Sequence, residues 1–173
     1  MLEELSTIDW SQLNHAYGPA TDVPDQLRAL AFGTPKTRKR ALSDLHGNIW
    51  HQHTIYEATH YAVPFLLELV QNQVPDYIEI LGLLALIANG TSYLEAHREY
   101  QTEWTDDVES NFLREMEDVR LVRKVLAKRG EVLTDLLNSK NRRVREICIF
   151  ILGSVGRGTE LAPSVVENIL SNK

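Results

Sequence analysis

The sequence is short of cysteine and of long apolar runs, and both shortages exclude classes of protein. Cys148 is the single cysteine, so an internal disulfide is excluded. Its place in the apolar stretch ICIFIL favours a small buried thiol. The longest strongly apolar stretch, residues 80–88, is about half as long as a membrane span. We therefore expect no membrane segment.

Basic residues are scarce at the N-terminus and are in the minority overall. The first ten residues, MLEELSTIDW, carry acids where a signal peptide needs basic residues, so we expect a cytoplasmic protein. The chain has 18 lysines and arginines against 24 acids, a formal net charge of −6. That charge argues against nonspecific binding of the whole molecule to a polyanion. The remaining composition, with 43% hydrophobic residues over 173 positions, is typical of one soluble globular domain.

Several motifs that carry chemistry are also missing from the sequence. It has no Gly-rich phosphate loop, no nucleophile elbow and no Cys-x-x-Cys pair. The stretch GRGTE at residues 156–160 contains two glycines, but it follows a predicted helix and is typical of a turn. We therefore expect no catalytic residue and no cofactor.

What the sequence does have is an internal repeat. Four segments begin with a helix-opening signal and continue with an apolar face: VPDQLRAL (23–30), VPFLLELV (63–70), RGEVLTDLL (129–137) and APSVVENIL (162–170). Pro24, Pro64 and Pro163 suit the first turn of a helix, and Gly130 replaces proline in the third copy. Each segment is therefore predicted to start a helix.

The segments that follow the first three copies repeat as well. In each of these segments three matching residues are spaced four positions apart, and the middle one is small, which would let another helix approach closely. The three triplets are Thr37, Ala41 and Leu45; Ile78, Gly82 and Leu86; and Val144, Cys148 and Leu152. Turn-forming residues separate each triplet from the helix before it. Each unit is thus predicted to be a helix hairpin, and hairpins that cannot bury their faces alone are expected to stack into an α-solenoid.

The third unit resembles the second half of a HEAT repeat. Its sequence is LLNSKNRRVREICIFILGSVG, with Asn141 in the turn, Val144 and Arg145 opening the helix, and Gly153 and Gly156 near its end. The stretches HAYGPATDVP and GNIWHQHTIYEATHYAVPFLLEL are similar to a group of bacterial HEAT-repeat proteins, many of them without an assigned activity. The resemblance implies an all-α fold, a right-handed α–α superhelix of about three hairpins plus a terminal helix.

The whole chain, residues 1–173, is predicted to form this single domain. The expected units are residues 22–50, 54–90 and 119–156, a partial unit at 159–173, and an acid-rich helical insertion at 91–118. Thr105 is the expected N-cap of a helix in the insertion. The insertion is predicted to be a solvated helix or extended hairpin, and a partner-binding protrusion is the alternative.

The stretch GNIWHQHTIYEATHYAVPF gathers three histidines and one glutamate. His51, His53, Glu57 and His60 would ligate zinc if the loop and the helix brought them together, and Glu57 and His60 have the spacing of half a di-iron motif. The alternative is a polar joint between the first two hairpins, with Thr54 as N-cap of the second and Glu57 completing a capping box. We favour the joint and expect no metal.

These observations favour a non-enzymatic protein–protein interaction module. The resemblance implies an adaptor or toxin-immunity protein. The expected partner-binding residues are Trp50, His51, Gln52 and Glu57 in the joint, and Arg38, Arg142 and Arg143 in the basic turns.

Two other functions stay open at this point. The basic turns would suit nucleic acid, as in HEAT-like DNA-binding proteins, and a pocket at residues 51–60 would suit an enzyme or a lyase subunit. The final predicted helix has no hairpin partner, so the C-terminal edge is a candidate contact between copies of the chain.

Overall fold

The structure is a computed structural model that describes residues 1–156, and these residues are mainly helical, with two short β-hairpins and connecting loops. The helices are α1 (Val23–Phe32), α2 (Pro35–Asn48), α3 (Glu57–Gln71), α4 (Tyr77–Ala88), α5 (Tyr93–Ala96), α6 (Asp106–Lys128), α7 (Gly130–Leu136) and α8 (Arg142–Val155), with 3₁₀ turns at Glu3–Thr7, Trp10–Gln12 and Arg98–Tyr100. The strands are β1 (Asn14–His15), β2 (Gly18–Pro19), β3 (Trp50–His51) and β4 (Thr54–Ile55). The all-α prediction is confirmed. No helix within residues 1–156 is both long and apolar enough to cross a membrane.

The helices form two layers of packed hairpins. Helix α1 pairs with α2, and α3 pairs with α4. In the third pair, α6 and α7 both contact α3 and together take the place of a first helix, while α8 packs against α7 and α4. One layer thus contains α1, α3 and α6–α7, and the other contains α2, α4 and α8. The superhelical form stays a prediction, and the expected partial unit at 159–173, with its C-terminal edge, lies outside the described residues.

Helix starts in the second layer follow the turn residues. Thr34 precedes Pro35 and its Oγ1 accepts a hydrogen bond from the backbone N–H of Thr37. Asn141 precedes α8 and its Oδ1 accepts from the N–H of Arg143 at 3.0 Å. Such side chains satisfy amide groups that have no partner inside the helix. The predicted turns at these two positions are therefore supported by their own capping bonds.

Helix α6 joins the expected insertion to the third unit without a break. Thr105 caps it as predicted, since its side chain accepts from the N–H of Val108. The helix then runs through the expected boundary at residue 118. Its first half is largely exposed, whereas Val119, Val122 and Leu126 are buried. The insertion is therefore partly an N-terminal extension of the helix that packs on α3.

The prediction that Pro64 opens a helix is wrong. Helix α3 begins at Glu57, so Pro64 lies in its interior. Proline has no N–H, and the carbonyl of His60 one turn earlier therefore loses its usual helical donor. Burial of Ala58 and Ala62 explains the longer helix, because both extend the apolar face toward the N-terminus.

The predicted close-packed triplet in α4 is also wrong. Leu86 is 37% exposed, and a Cβ added at Gly82 would meet nothing within 4 Å. Helix α4 begins one residue later than the repeat alignment requires, after a turn in which Gln73 and Asp76 adopt positive φ angles of 47° and 68°. The core positions therefore shift by one residue. Counted from the helix starts, the seventh residues Ala41, Leu83 and Cys148 and the eleventh residues Leu45, Ile87 and Leu152 are all buried.

The N-terminal segment crosses α3 and covers it on one side. The backbone N–H of Leu2 donates to the Glu68 carboxylate at 3.1 and 3.2 Å. The Trp10 ring lies 6.5 Å from the Phe65 ring, and both side chains are buried. The segment thereby shields apolar surface that the stacked helices leave open.

The single cysteine lies in the core. Cys148 is fully buried, and burial raises the pKa of its thiol to about 12. The thiolate is the reactive form, so this side chain is an unreactive thiol at neutral pH. The buried-thiol prediction is confirmed.

Replacing Gly90 with alanine is expected to destabilise the protein by about 1–3 kcal/mol. A Cβ there would lie 2.7 Å from Cγ2 of Ile55, a β-branched side chain that is itself buried. Gly82→Ala is the matched control. It is expected to raise the free energy of unfolding by about 0.5–1 kcal/mol, because alanine favours a helix interior more than glycine does. Urea unfolding measures both changes. A Gly90→Ala variant as stable as the original protein would contradict the close contact.

Candidate functional site

The histidine-rich stretch forms a β-hairpin that the sequence did not reveal. Strand β3 pairs with β4 in antiparallel register, with Trp50 opposite Ile55. The two-residue loop between the strands consists of Gln52 and His53, whose φ angles are 48° and 73°. Two positive φ angles are the mark of a type I′ turn, which usually takes asparagine and glycine. The loop thus holds two side chains in a conformation that they rarely adopt.

Two threonines stabilise this β-hairpin and connect it to α3. Thr59 is fully buried; its Oγ1 accepts from the N–H of Tyr56 at 2.9 Å and donates to the carbonyl of Ile49 at 2.7 Å. Thr54 lies in β4 and its hydroxyl donates to the carbonyl of His51 at 2.6 Å. The prediction that Thr54 caps α3 is therefore wrong, because the hairpin uses its hydroxyl and Thr59 completes the cap. The broader prediction of a polar joint is supported.

A second polar network fastens the N-terminal hairpin of β1 and β2. The Asp22 carboxylate accepts from His15 Nε2 at 3.0 Å, from Asn48 Nδ2 at 2.8 Å and from Gln26 Nε2 at 2.8 Å. The Nδ1 atom of His15 accepts from the N–H of Tyr17 at 3.0 Å, which assigns the ring hydrogen to Nε2. His15, Gln26 and Asn48 are each 9% exposed. One carboxylate therefore joins β1, α1 and α2.

The tip of the β1–β2 hairpin meets the β3–β4 hairpin, and together they form an aromatic surface. The Tyr17 hydroxyl lies 3.4 Å from Nδ1 of His51, and the two rings meet edge to face at 5.5 Å. Trp50 packs against His46 at 6.2 Å and against His53 at 5.6 Å between ring centroids. Tyr17 is 68% exposed. We call these five residues the hairpin surface.

The structure does not bring the four expected metal ligands together. His51 contacts Tyr17 and His53 contacts Trp50, whereas His60 lies on α3 with its Nδ1 3.6 Å from Oδ1 of Asp118. Among residues 1–156 no group of three or more histidine, cysteine, aspartate or glutamate side chains could hold a metal ion. These histidines are instead parts of the joint and of α3.

A polar cavity of about 270 Å³ lies where β1, β4, α3, α5 and α6 meet. Its lining consists of Asn14, Ile55, Tyr56, Glu57, Tyr93, Arg114, Glu115 and Asp118. Of the expected partner-binding residues, Glu57 is the one that lines it, and Glu57 Oε2 also accepts from the N–H of Asn14 at 3.2 Å. The carboxylates from α6 were not expected from the sequence, since the insertion resembled a solvated acidic helix.

Burial perturbs two titratable groups beside this cavity. Burial is the main cause that raises the pKa of Asp118 to about 6, and the negative charge of Glu57 adds to the rise. The positive charge of Arg114 opposes it. Burial also lowers the pKa of His60, and Nδ1 of His60 is buried without a hydrogen bond. Because 3.6 Å exceeds a normal hydrogen bond, the two side chains form only a loose contact. At neutral pH, Asp118 is a carboxylate beside a neutral imidazole.

Arg38 is held in a contact between the first two hairpins. Its Nε donates to Oδ2 of Asp76 at 2.7 Å and its Nη1 donates to the carbonyl of Gly33 at 2.9 Å. Its side chain is 13% exposed. Arg145, the fourth residue of α8 as Arg38 is of α2, likewise donates to a carbonyl of its own turn, that of Ser139 at 2.7 Å.

The basic turns of the first and third hairpins do not join into one edge. Arg142 is 83% exposed and donates to Glu146 at 2.7 Å, and Arg143 is exposed. Helix α4 contacts both α2 and α8, and its start carries Asp76 and Glu79. Acidic residues therefore separate the two groups of basic side chains, and this separation weakens attraction for a continuous phosphate backbone.

Thr59→Val is expected to cost about 1–3 kcal/mol of unfolding free energy, although it adds an apolar methyl group. The change leaves the N–H of Tyr56 and the carbonyl of Ile49 without their partner in a buried joint. Thr7→Val is the control, because the Thr7 hydroxyl donates to Glu4 in an exposed turn. Urea unfolding measures both variants, and equal effects would show that the joint does not depend on Thr59.

Asp118→Asn is expected to stabilise the protein increasingly as the pH rises. A raised folded-state pKa means that the folded protein loses stability between the ordinary value of 3.8 and about 6, and this loss persists above pH 6. The Asp118→Asn variant does not suffer this loss. The difference in unfolding free energy between the variant and the original protein should therefore grow by about 1 kcal/mol from pH 4.5 to pH 7.5, allowing for solvent screening. Urea unfolding at both pH values measures the gain. Glu103→Gln, which changes an exposed side chain outside the cavity, is the control, and equal growth in both variants would contradict the prediction.

Comparison with known proteins leaves the site to be interpreted from its own geometry. No family model, no curated protein and no solved structure matches the chain. The HEAT-repeat resemblance therefore stays a prediction. The hairpin surface and the polar cavity are the two features from which a function can be argued.

Proposed function

We propose that the chain is a non-enzymatic protein-binding module that recognises its partner through the hairpin surface. The observation that carries this proposal is the exposed Tyr17 ring packed edge to face on His51. Tyrosine, tryptophan and arginine dominate the binding energy of protein interfaces, because each covers a large area with a polar group at its end. In the hairpin surface, Tyr17 is such a residue and is exposed, whereas Trp50 is half-buried and its indole Nε1 is buried.

The rigidity of the surface supports the proposal. The N–H of Ala16, beside Tyr17, donates to the carbonyl of Asn48 at 3.0 Å, so the tip is tied to the end of α2. Gln52 and His53 are held in left-handed backbone conformations that cost free energy. Fixing a surface before binding reduces the entropy lost on association. A strained turn beside an exposed aromatic ring is the arrangement expected where recognition takes place.

The resemblance to bacterial HEAT-repeat proteins favours an adaptor or toxin-immunity role within this class. A stacked array of hairpins presents a rigid, extended surface. In an immunity protein, the partner would be one toxin with which the chain forms a stable complex. A toxin encoded beside this chain, and neutralised by it, would support this role.

Tyr17→Ala is expected to abolish capture of a protein partner from the native host or to weaken it at least tenfold, because it removes the exposed ring from the hairpin surface. Phe32→Ala is the matched control, since Phe32 at the end of α1 is also 68% exposed but lies outside the hairpin surface. Quantitative pull-down with the original chain and both variants measures the effect. Equal losses in the two variants, or retention of every captured protein by Tyr17→Ala, would sink the proposal.

A further inference from the structure

The polar cavity is smaller than a typical site for a drug-sized ligand. At about 270 Å³ it falls below the roughly 300–1,000 Å³ of sites for drug-sized ligands. Four separate segments of the chain form it: residue 14, residues 55–57, residue 93 and residues 114–118. The chemistry of its walls decides what the cavity can bind.

The walls carry more negative than positive charge. Glu57 and Glu115 each use an oxygen to accept a backbone N–H, from Asn14 at 3.2 Å and from Leu94 at 2.9 Å. Asp118 accepts no hydrogen bond from any described residue, and its side chain is 15% exposed. A carboxylate can accept about four hydrogen bonds, so the described residues fill only a small part of the acceptor capacity of the three groups.

This charge is offset only in part, because the charge of Arg114 opposes the raised pKa of Asp118, and no cation within residues 1–156 makes an ion pair with Glu57 or Glu115. Arg114 lines the cavity, but its Nη2 donates to Asn111 at 3.1 Å and it makes no ion pair with the three carboxylates. His60 lies beside Asp118, and burial lowers the pKa of His60, so this side chain is a neutral imidazole at neutral pH. An unpaired group of carboxylates in a partly enclosed site attracts a cation.

The aromatic lining favours one kind of cation. The Tyr56 hydroxyl lies 2.7 Å from Oγ1 of Thr54, and the Tyr93 ring stacks on His97 with centroids 4.2 Å apart. Both rings are therefore held by other contacts. A planar guanidinium stacks on aromatic rings and donates to carboxylates through a rigid fork, which a compact ammonium cannot do.

We propose that the polar cavity binds the guanidinium group of an arginine side chain supplied by the partner protein. This inference rests on the proposed protein-binding function. Asn14 and Ile55 place the cavity on the same two β-hairpins that carry Tyr17 and His51. The hairpin surface would supply the aromatic contact area, and the cavity would select a basic residue.

The test uses the full chain and a capped arginine, N-acetyl-arginine N-methylamide, as the probe. In a titration followed by ¹H–¹⁵N NMR, we expect saturable shifts at the amides that line the cavity, including Glu57, Glu115 and Asp118. The matching citrulline probe has the same shape without the charge and should bind at least tenfold more weakly. Equal shifts with both probes would overturn the assignment, as would shifts spread over the exposed acids of α6.

Two variants separate the site from the general charge of the protein. Glu57→Gln and Asp118→Asn should each reduce affinity for the capped arginine at least fivefold, whereas Glu103→Gln, outside the cavity, should leave it unchanged. Asp118→Asn guards against failure of Glu57→Gln to fold, because it is expected to be at least as stable as the original protein. Equal affinity in all three variants would overturn the assignment.

The outcomes also separate this inference from the proposed function. Capture that depends on Tyr17 without probe binding would overturn the cavity assignment and leave the protein-binding function standing. Probe binding without Tyr17-dependent capture would support a guanidinium site and overturn its assignment to a partner that the hairpin surface recruits. Loss of both capture and probe binding in Glu57→Gln, with folding retained, would support the inference in full.

Discussion

Burial of helix α3 is the constraint on which the rest of the structure depends. Residues from Ala58 to Val70 contribute nine buried side chains, far more than one apolar face of a helix can hold. The helix must therefore be covered from several directions, and α1, α4, α6, α7 and the N-terminal segment each contact it. The layered arrangement follows, because every covering element has to reach the same central helix.

The joints around α3 differ in how completely their polar groups are paired, and this difference separates scaffold from site. Thr59 and Asp22 each satisfy groups from two or three segments, so their joints are closed networks that fix the geometry. Asp118 and His60 face each other loosely, with acceptor or donor capacity left over. The closed networks of Thr59 and Asp22 fix the positions of the two β-hairpins. The loose pair of Asp118 and His60 borders a cavity whose carboxylate oxygens accept few hydrogen bonds from the described residues of the protein.

Sequence patterns predicted the helices well and the site poorly. The triplets in α2 and α8 were informative because those helices have one buried face, whereas α4 is buried so widely that its period is blurred and an extra residue in the preceding turn went unnoticed. The hairpin at Gln52 and His53 gave no signal, because neither residue type is typical of a type I′ turn. The cavity depends on α6 meeting α3 across a long separation, which no local pattern records.

The path of the N-terminal segment along α3 affects how the chain folds as it is synthesised. The backbone N–H of Leu2 cannot form its hydrogen bond to Glu68 until Glu68, which is 66 residues further along the chain, has been synthesised. At a synthesis rate of about 5–20 residues per second, that delay is roughly 3–13 seconds. For most of this interval Trp10 lacks Phe65, the ring of α3 against which it packs. The first hairpin can form from local contacts in this interval, so the opening residues of the chain are among the later ones to dock.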